Sequence, residues 1–121
     1  MARVIDSNIV IDALNDHQAA VDEMLAEEDC RISRVSWMEV LVGCQNLHAD
    51  RLARDLMATL RVVEISAQIA EAAVTIRKHS RLKLPDAIVL ATARTAGLQL
   101  STRNTKDFSE ADPTIRIPYR L

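Results

Sequence analysis

Hydrophobic positions along this chain follow two periods. Short apolar runs rich in β-branched residues read as strands: 2–5 ending in Val4-Ile5, RISRV at 31–35, RVVEI at 61–65, LQLST at 98–102 and IRI at 115–117. Between them apolar residues recur every three or four positions and read as helices. A short helix starts at Ser7 and fades near Asn15. Residues 17–28 form a polar amphipathic helix with Ala20, Val21, Met24 and Leu25 on one face. Ser36 stands three residues before Glu39, the capping-box spacing, and opens a helix, WMEVLVGC, that is apolar almost all round. Residues 48–60 carry Leu52, Leu56 and Leu60 at i, i+4 spacing, and core is the first expectation for Leu52 and Leu56. Ser66 is placed to cap a helix with the stripe Ile69, Ala73 and Ile76. Pro85 suits the first turn of a helix that continues through AIVLATARTA and stops at Gly97.

Strands alternate with helices throughout, which predicts an α/β fold with a mostly parallel sheet of four to five strands covered on both faces. No internal repeat or composition shift divides the chain, so residues 1–121 read as a single domain. Open sheets of this kind bind ligands beyond the carboxyl ends of their strands. Asp6, Ser36 and the turn Ser101-Thr102-Arg103-Asn104 fall there.

Composition changes little in this picture. The chain is 49% hydrophobic and 26% charged, ordinary for a soluble protein. With only Trp37, Phe108 and Tyr119 as aromatics, the core must be aliphatic. The net charge of −2 gives no basic footprint overall, although bases recur at Arg77, Lys78, Arg81 and Lys83 and at Arg94, Arg103 and Lys106. Cys30 and Cys44 show no zinc spacing, and His17, His48 and His79 sit in polar helix contexts expected at the surface. No apolar run reaches membrane-spanning length, and no signal-peptide pattern precedes the first strand. The expected compartment is the cytoplasm, with both thiols reduced.

Three acids occupy apolar surroundings. Asp6 follows Val4-Ile5, Glu39 is the only charge between Arg34 and His48, and Asp86 precedes Ala-Ile-Val-Leu-Ala. Each has a local explanation, as a helix cap, a capping-box partner or a charge on a helix dipole. All three also belong to elements able to converge on one sheet edge, where ionised carboxylates repel one another and a cation relieves them. Oxygen donors without Cys or His suit Mg²⁺ or Mn²⁺. STRNTKDF, 101–108, adds Thr102 and Asn104 as polar groups, Asp107 as a further acid, and Arg103 and Lys106 as phosphate contacts; a plain turn is the alternative.

Four segments in order, VIDSNIVID, SWMEVLVG, LKLPDAIVLATA and LSTRNTKDF, together resemble the PIN-domain family, specifically the VapC-type toxins of bacterial toxin–antitoxin pairs. The resemblance implies a PIN-like three-layer sandwich and a Mg²⁺- or Mn²⁺-dependent endoribonuclease. Asp6, Glu39 and Asp86 match its core acids. Its fourth acidic position falls on Asn104, a neutral ligand here, with Asp107 as a substitute. Ser7, Asn8 and Thr102 resemble the groups that orient carboxylates and waters. An RNA substrate, a VapB-type antitoxin and a homodimer are implied as partners. The helices at 36–44 and 48–60 offer a possible groove for an apolar peptide.

Two other readings stand beside this one. A receiver-like module would accept a phosphoryl group on a strand-end Asp, but it needs paired acids near the start where MARVID has one. A degenerate PIN-fold binding module would dock a partner without catalysis.

Overall fold

β1 (Arg3–Ile5) is the centre of a parallel sheet in the computed structural model, which describes residues 2–121. Four further strands complete it: β2 (Arg31–Ser33), β3 (Arg61–Val63), β4 (Gln99–Ser101) and β5 (Ile115–Arg116), in the order β3-β2-β1-β4-β5. Every neighbouring pair is parallel, and Ile5 stands opposite Ser101 in register. The chain leaves β1 in one direction through β2 and β3, then returns to the other side for β4. The strand order therefore reverses between β1 and β4, where open α/β sheets form their ligand crevice.

The pleat sends successive side chains to opposite faces. Ile5 and Ile32 enter one cluster with Ile9, Val10, Met24 and Met57. These come from α1 (Ser7–Leu14), α2 (Gln18–Leu25) and α4 (Leu47–Met57). Val4, Leu100 and Ile115 enter another with Val89 and Leu90 of α6 (Leu84–Ala96), which α5 (Ala67–His79) backs by packing Ile69 and Ala73 against Ala87 and Ala91 of α6. The core is aliphatic, as the composition predicts. Burying each such Val, Leu or Ile side chain stabilises the fold by about 1.5–3 kcal/mol. α3 (Arg34–Val42) packs Val40 into the first cluster and Val35 against the second, which lays it across both.

Three local expectations change. RISRV is strand only through Ser33, whose hydroxyl accepts from the Val35 amide and caps α3. Ser36 thus lies inside the helix, fully buried and without a hydrogen-bond partner, so the capping box with Glu39 does not form. The polar helix from 17 ends at Leu25 rather than 28. Leu52 is 50% exposed rather than core, whereas Leu56 is partly buried against the first cluster. Among the described residues no helix is long and apolar enough to cross a membrane.

Candidate active site

Asp6 is the residue immediately after β1 and the N-cap of α1. Its backbone amide continues the ladder to the Ser101 carbonyl at 2.9 Å, which pins it to the reversal point. It is 4% exposed. The Ser7 amide donates to Oδ1 at 2.8 Å; the Thr102 hydroxyl donates to Oδ2 at 2.7 Å and Asn8 Nδ2 at 3.3 Å. Desolvation by burial pushes the Asp6 carboxyl above its usual range, and those three donors oppose it.

Glu39 projects from α3 at a solvent-open rim, and Asp86 is half-buried in the first turn of α6. Desolvation and then the charges of Asp6 and Asp86 raise the Glu39 carboxyl, with a hydrogen bond from Ser7 opposing them. Desolvation and then the charges of Asp6 and Asp107 raise Asp86, with Lys83 opposing. Acids from three separate elements thus feel one another's fields beside the end of β1. Among the described residues, no three His, Cys, Asp or Glu side chains close to metal-ligand geometry. The donor chemistry nevertheless fits a hard divalent cation: the groups are all oxygen and their mutual repulsion is what such a charge relieves.

The polar residues predicted around the acids fall into one network. Asn8 Nδ2 also donates to Thr102 Oγ1 at 3.2 Å, while its Oδ1 accepts from the Arg103 amide at 3.0 Å. Asn104 and Asp107 engage each other. Asn104 Nδ2 donates to Asp107 Oδ2 at 2.9 Å, and its Oδ1 accepts from the Asp107 amide at 3.2 Å. Lys106 is exposed in the same turn.

Arg103, expected at a phosphate, is engaged within the chain. Its guanidinium forms a two-pronged pair with Asp12, one arm at 3.0 Å, and Tyr119 donates its hydroxyl to the same carboxylate at 2.7 Å. Burial raises the Asp12 carboxyl, but Arg103 and Tyr119 outweigh it and hold it below its usual range. His17 stacks on Tyr119 with ring centroids 4.9 Å apart, so it is part of this packing rather than a plain surface group. Asp12 is the residue that sequence reasoning missed. Its signal was the i, i+4 spacing from Asn8 on an otherwise apolar helix, which places both on the face that grips residues 102–103. Glu23 was missed too: buried on α2, it accepts from Ser101 and Arg116 and pairs with Arg3 at 2.9 Å.

The PIN domain family model matches residues 3–112. The chain belongs to the PIN-domain family. It is similar to a chain of a toxin–antitoxin complex from Klebsiella pneumoniae, at 40% identity over 99% of this chain and 100% of that one, TM-score 0.91. It is also similar in fold to VapBC-1 from nontypeable Haemophilus influenzae, at 18% identity and TM-score 0.80 over 98% of both chains. A third likeness is to VapC20 of Mycobacterium tuberculosis, described as a sarcin-ricin loop cleaving toxin, at 18% identity and TM-score 0.62 over 81% of this chain and 85% of that one. No curated protein matches. The VapC-type resemblance carried by the four sequence segments holds in these comparisons.

Proposed function

We propose that this chain is the toxin of a VapBC-type toxin–antitoxin pair and acts as a Mg²⁺- or Mn²⁺-dependent endoribonuclease. The observation that carries the reading is the convergence of Asp6, Glu39 and Asp86, from three elements, on the reversal point of a parallel sheet. Similarity at 40% identity to a chain of a toxin–antitoxin complex supports the same assignment.

In this reading Asp6, Glu39 and Asp86 hold the cation. When bound, it supplies positive charge at a phosphodiester and a water acidic enough to act as nucleophile near neutral pH. The chain's own residues prepare the place for it. Thr102, Asn8 and the Ser7 amide fix both oxygens of Asp6, so the carboxylate needs no reorganisation during the reaction. Ser7 orients Glu39 as well. Asp12 and Tyr119 lock Arg103, and through its backbone the turn that carries Thr102. Asn104 and Asp107 close the next turn on each other, and Asp107 adds its charge to the field at Asp86.

The partner in this reading is a VapB-type antitoxin. A groove of about 350 Å³ lined by Ile11, Leu14, Val40, Cys44 and Leu52 suits an apolar peptide segment. Trp37, on α3 like Val40, lies under the Arg34 and Arg54 guanidiniums, 4.6 and 5.3 Å from its ring centroid. A homodimer completes the assembly, and the cytoplasm is the compartment.

Cleavage of total RNA by the antitoxin-free chain, with Mg²⁺ or Mn²⁺ and with EDTA, tests the assignment. Discrete products that need the metal are expected. A folded chain that cuts nothing with either ion would leave a binding module in its place.

A further inference from the structure

The cations of this chain are unevenly satisfied. Among the described residues, every arginine outside residues 77–83, Arg51 excepted, forms an ion pair with a carboxylate. Arg77, Lys78, Arg81 and Lys83 form none; they run from the last turn of α5 through the loop into α6. Lys106, in the turn after β4, forms none either, and all five are exposed. The stretch leads directly into Asp86, on which Lys83 acts through its charge without an ion pair.

The same stretch borders a cavity. Arg81 and Lys106 line one open cleft of about 510 Å³, whose apolar lining includes Leu82, Leu90 and Phe108. Arg94 also lines it but is neutralised by Asp112 at 2.6 Å. Asp107 lines the cleft too, and its charge is among those that raise the Asp86 carboxyl.

We infer that this cleft holds a single-stranded stretch of RNA beside the bond to be cut, with Arg81 and Lys106 on its phosphates and the partly exposed Leu82 and Ile76 forming an apolar wall for a base. The inference rests on the nuclease reading and deepens it by naming where the strand lies. Unpaired cations beside an apolar wall are what a sequence-tolerant single-strand groove requires: charge for the backbone and apolar surface for the bases. The combination favours RNA over an acidic peptide, which has no base to place there.

The test is binding of a short fluorescent single-stranded oligoribonucleotide to the full chain in EDTA, by anisotropy across a salt series. Arg81→Ala with Lys106→Ala is expected to weaken binding about tenfold and to lower the salt slope by about one per cation removed. Arg51→Ala, an unpaired cation on α4, is expected to change neither. Unchanged affinity and slope in the double variant, or an equal loss in Arg51→Ala, would overturn the inference. So would displacement of the RNA by a polyglutamate peptide as readily as by unlabelled RNA. Wild-type binding as expected, without cleavage in Mg²⁺ or Mn²⁺, would keep the cleft as an RNA site and remove the nuclease reading instead.

Discussion

Thr102 donates its hydroxyl to Asp6 Oδ2 at 2.7 Å across 96 positions of sequence, joining the residues that follow β4 and β1 at the point where the strand order reverses. Thr102 is fully buried, and its oxygen also accepts from the Asn104 amide at 3.1 Å. Thr102→Val keeps the shape and removes both roles. It is expected to cost about 1–3 kcal/mol in chemical denaturation, because buried polar groups lose their partner. The Asp6 carboxyl, followed by carbon-detected NMR titration, should rise further. Thr102→Ser should restore most of both, and a neutral Thr102→Val would show that the bond contributes nothing.

Repulsion among the acids predicts a response to cations that needs no RNA. Mg²⁺ or Mn²⁺ should raise the unfolding midpoint of the chain; a ligand at a hundred times its dissociation constant stabilises by about 2.7 kcal/mol. Glu39→Gln removes a charge repelled by Asp6 and Asp86 and placed in the C-terminal half of α3. Without cation it should be as stable as wild type or better by roughly 0.5 kcal/mol, since Glu39 is exposed and screened. Its cation-dependent shift should shrink. A full shift in this variant would place the cation elsewhere.

Asn104 stands where the family resemblance implies a fourth acid, yet it closes a turn on Asp107. Asn104→Asp would replace the amide donor with a second carboxylate facing Asp107. A loss of about 1 kcal/mol is expected in thermal unfolding without metal. If the new acid turns toward the site, Mg²⁺ will recover the loss; if it stays on the turn, Mg²⁺ will not, and the measurement separates these directly.

Glu23 sets an acid limit on stability. Burial raises its carboxyl, but Arg116, Ser101 and Arg3 outweigh burial and hold it below its usual range. An acid depressed in the folded state contributes stability above its unfolded pKa, about 4.3 for Glu, and loses it as pH falls through the lower folded value. Asp12 acts in the same direction. Glu23→Gln should therefore cost about 2 kcal/mol at pH 7, because it removes the carboxylate that Arg116 holds and leaves Arg3 with only Glu27. Its deficit should narrow as pH falls below about 4. A pH-independent deficit in urea titrations would refute the electrostatic account.

How far the sequence revealed this molecule depends on how local each signal was. α6 was legible at both ends: Pro85 in its first turn and Gly97 at its end, in the left-handed conformation at φ 69°. Asp6 was legible because a charge directly after Val4-Ile5 violates the apolar pattern. The sequence pattern puts the cap of α3 three residues late, at Ser36, because Val35 is β-branched and extends the strand pattern, while the cap that decides the matter, Ser33, lies earlier. Arg103 and Glu23 were opaque for a different reason. Their partners Asp12 and Arg116 lie 91 and 93 positions away, and no local spacing encodes a pair that only the sheet brings together.

In the proposed function Asp6, Glu39 and Asp86 act as one nuclease site. The most direct measurement is the single-turnover cleavage rate of a defined RNA by the antitoxin-free chain in Mg²⁺, for wild type, Glu39→Gln, Asp86→Asn and the double variant. Each single substitution should lower the rate at least about a hundredfold, and the double should be little worse than either, as expected of groups that function as a unit. Near-wild-type cleavage by either single variant, with the fold intact, would contradict the assignment.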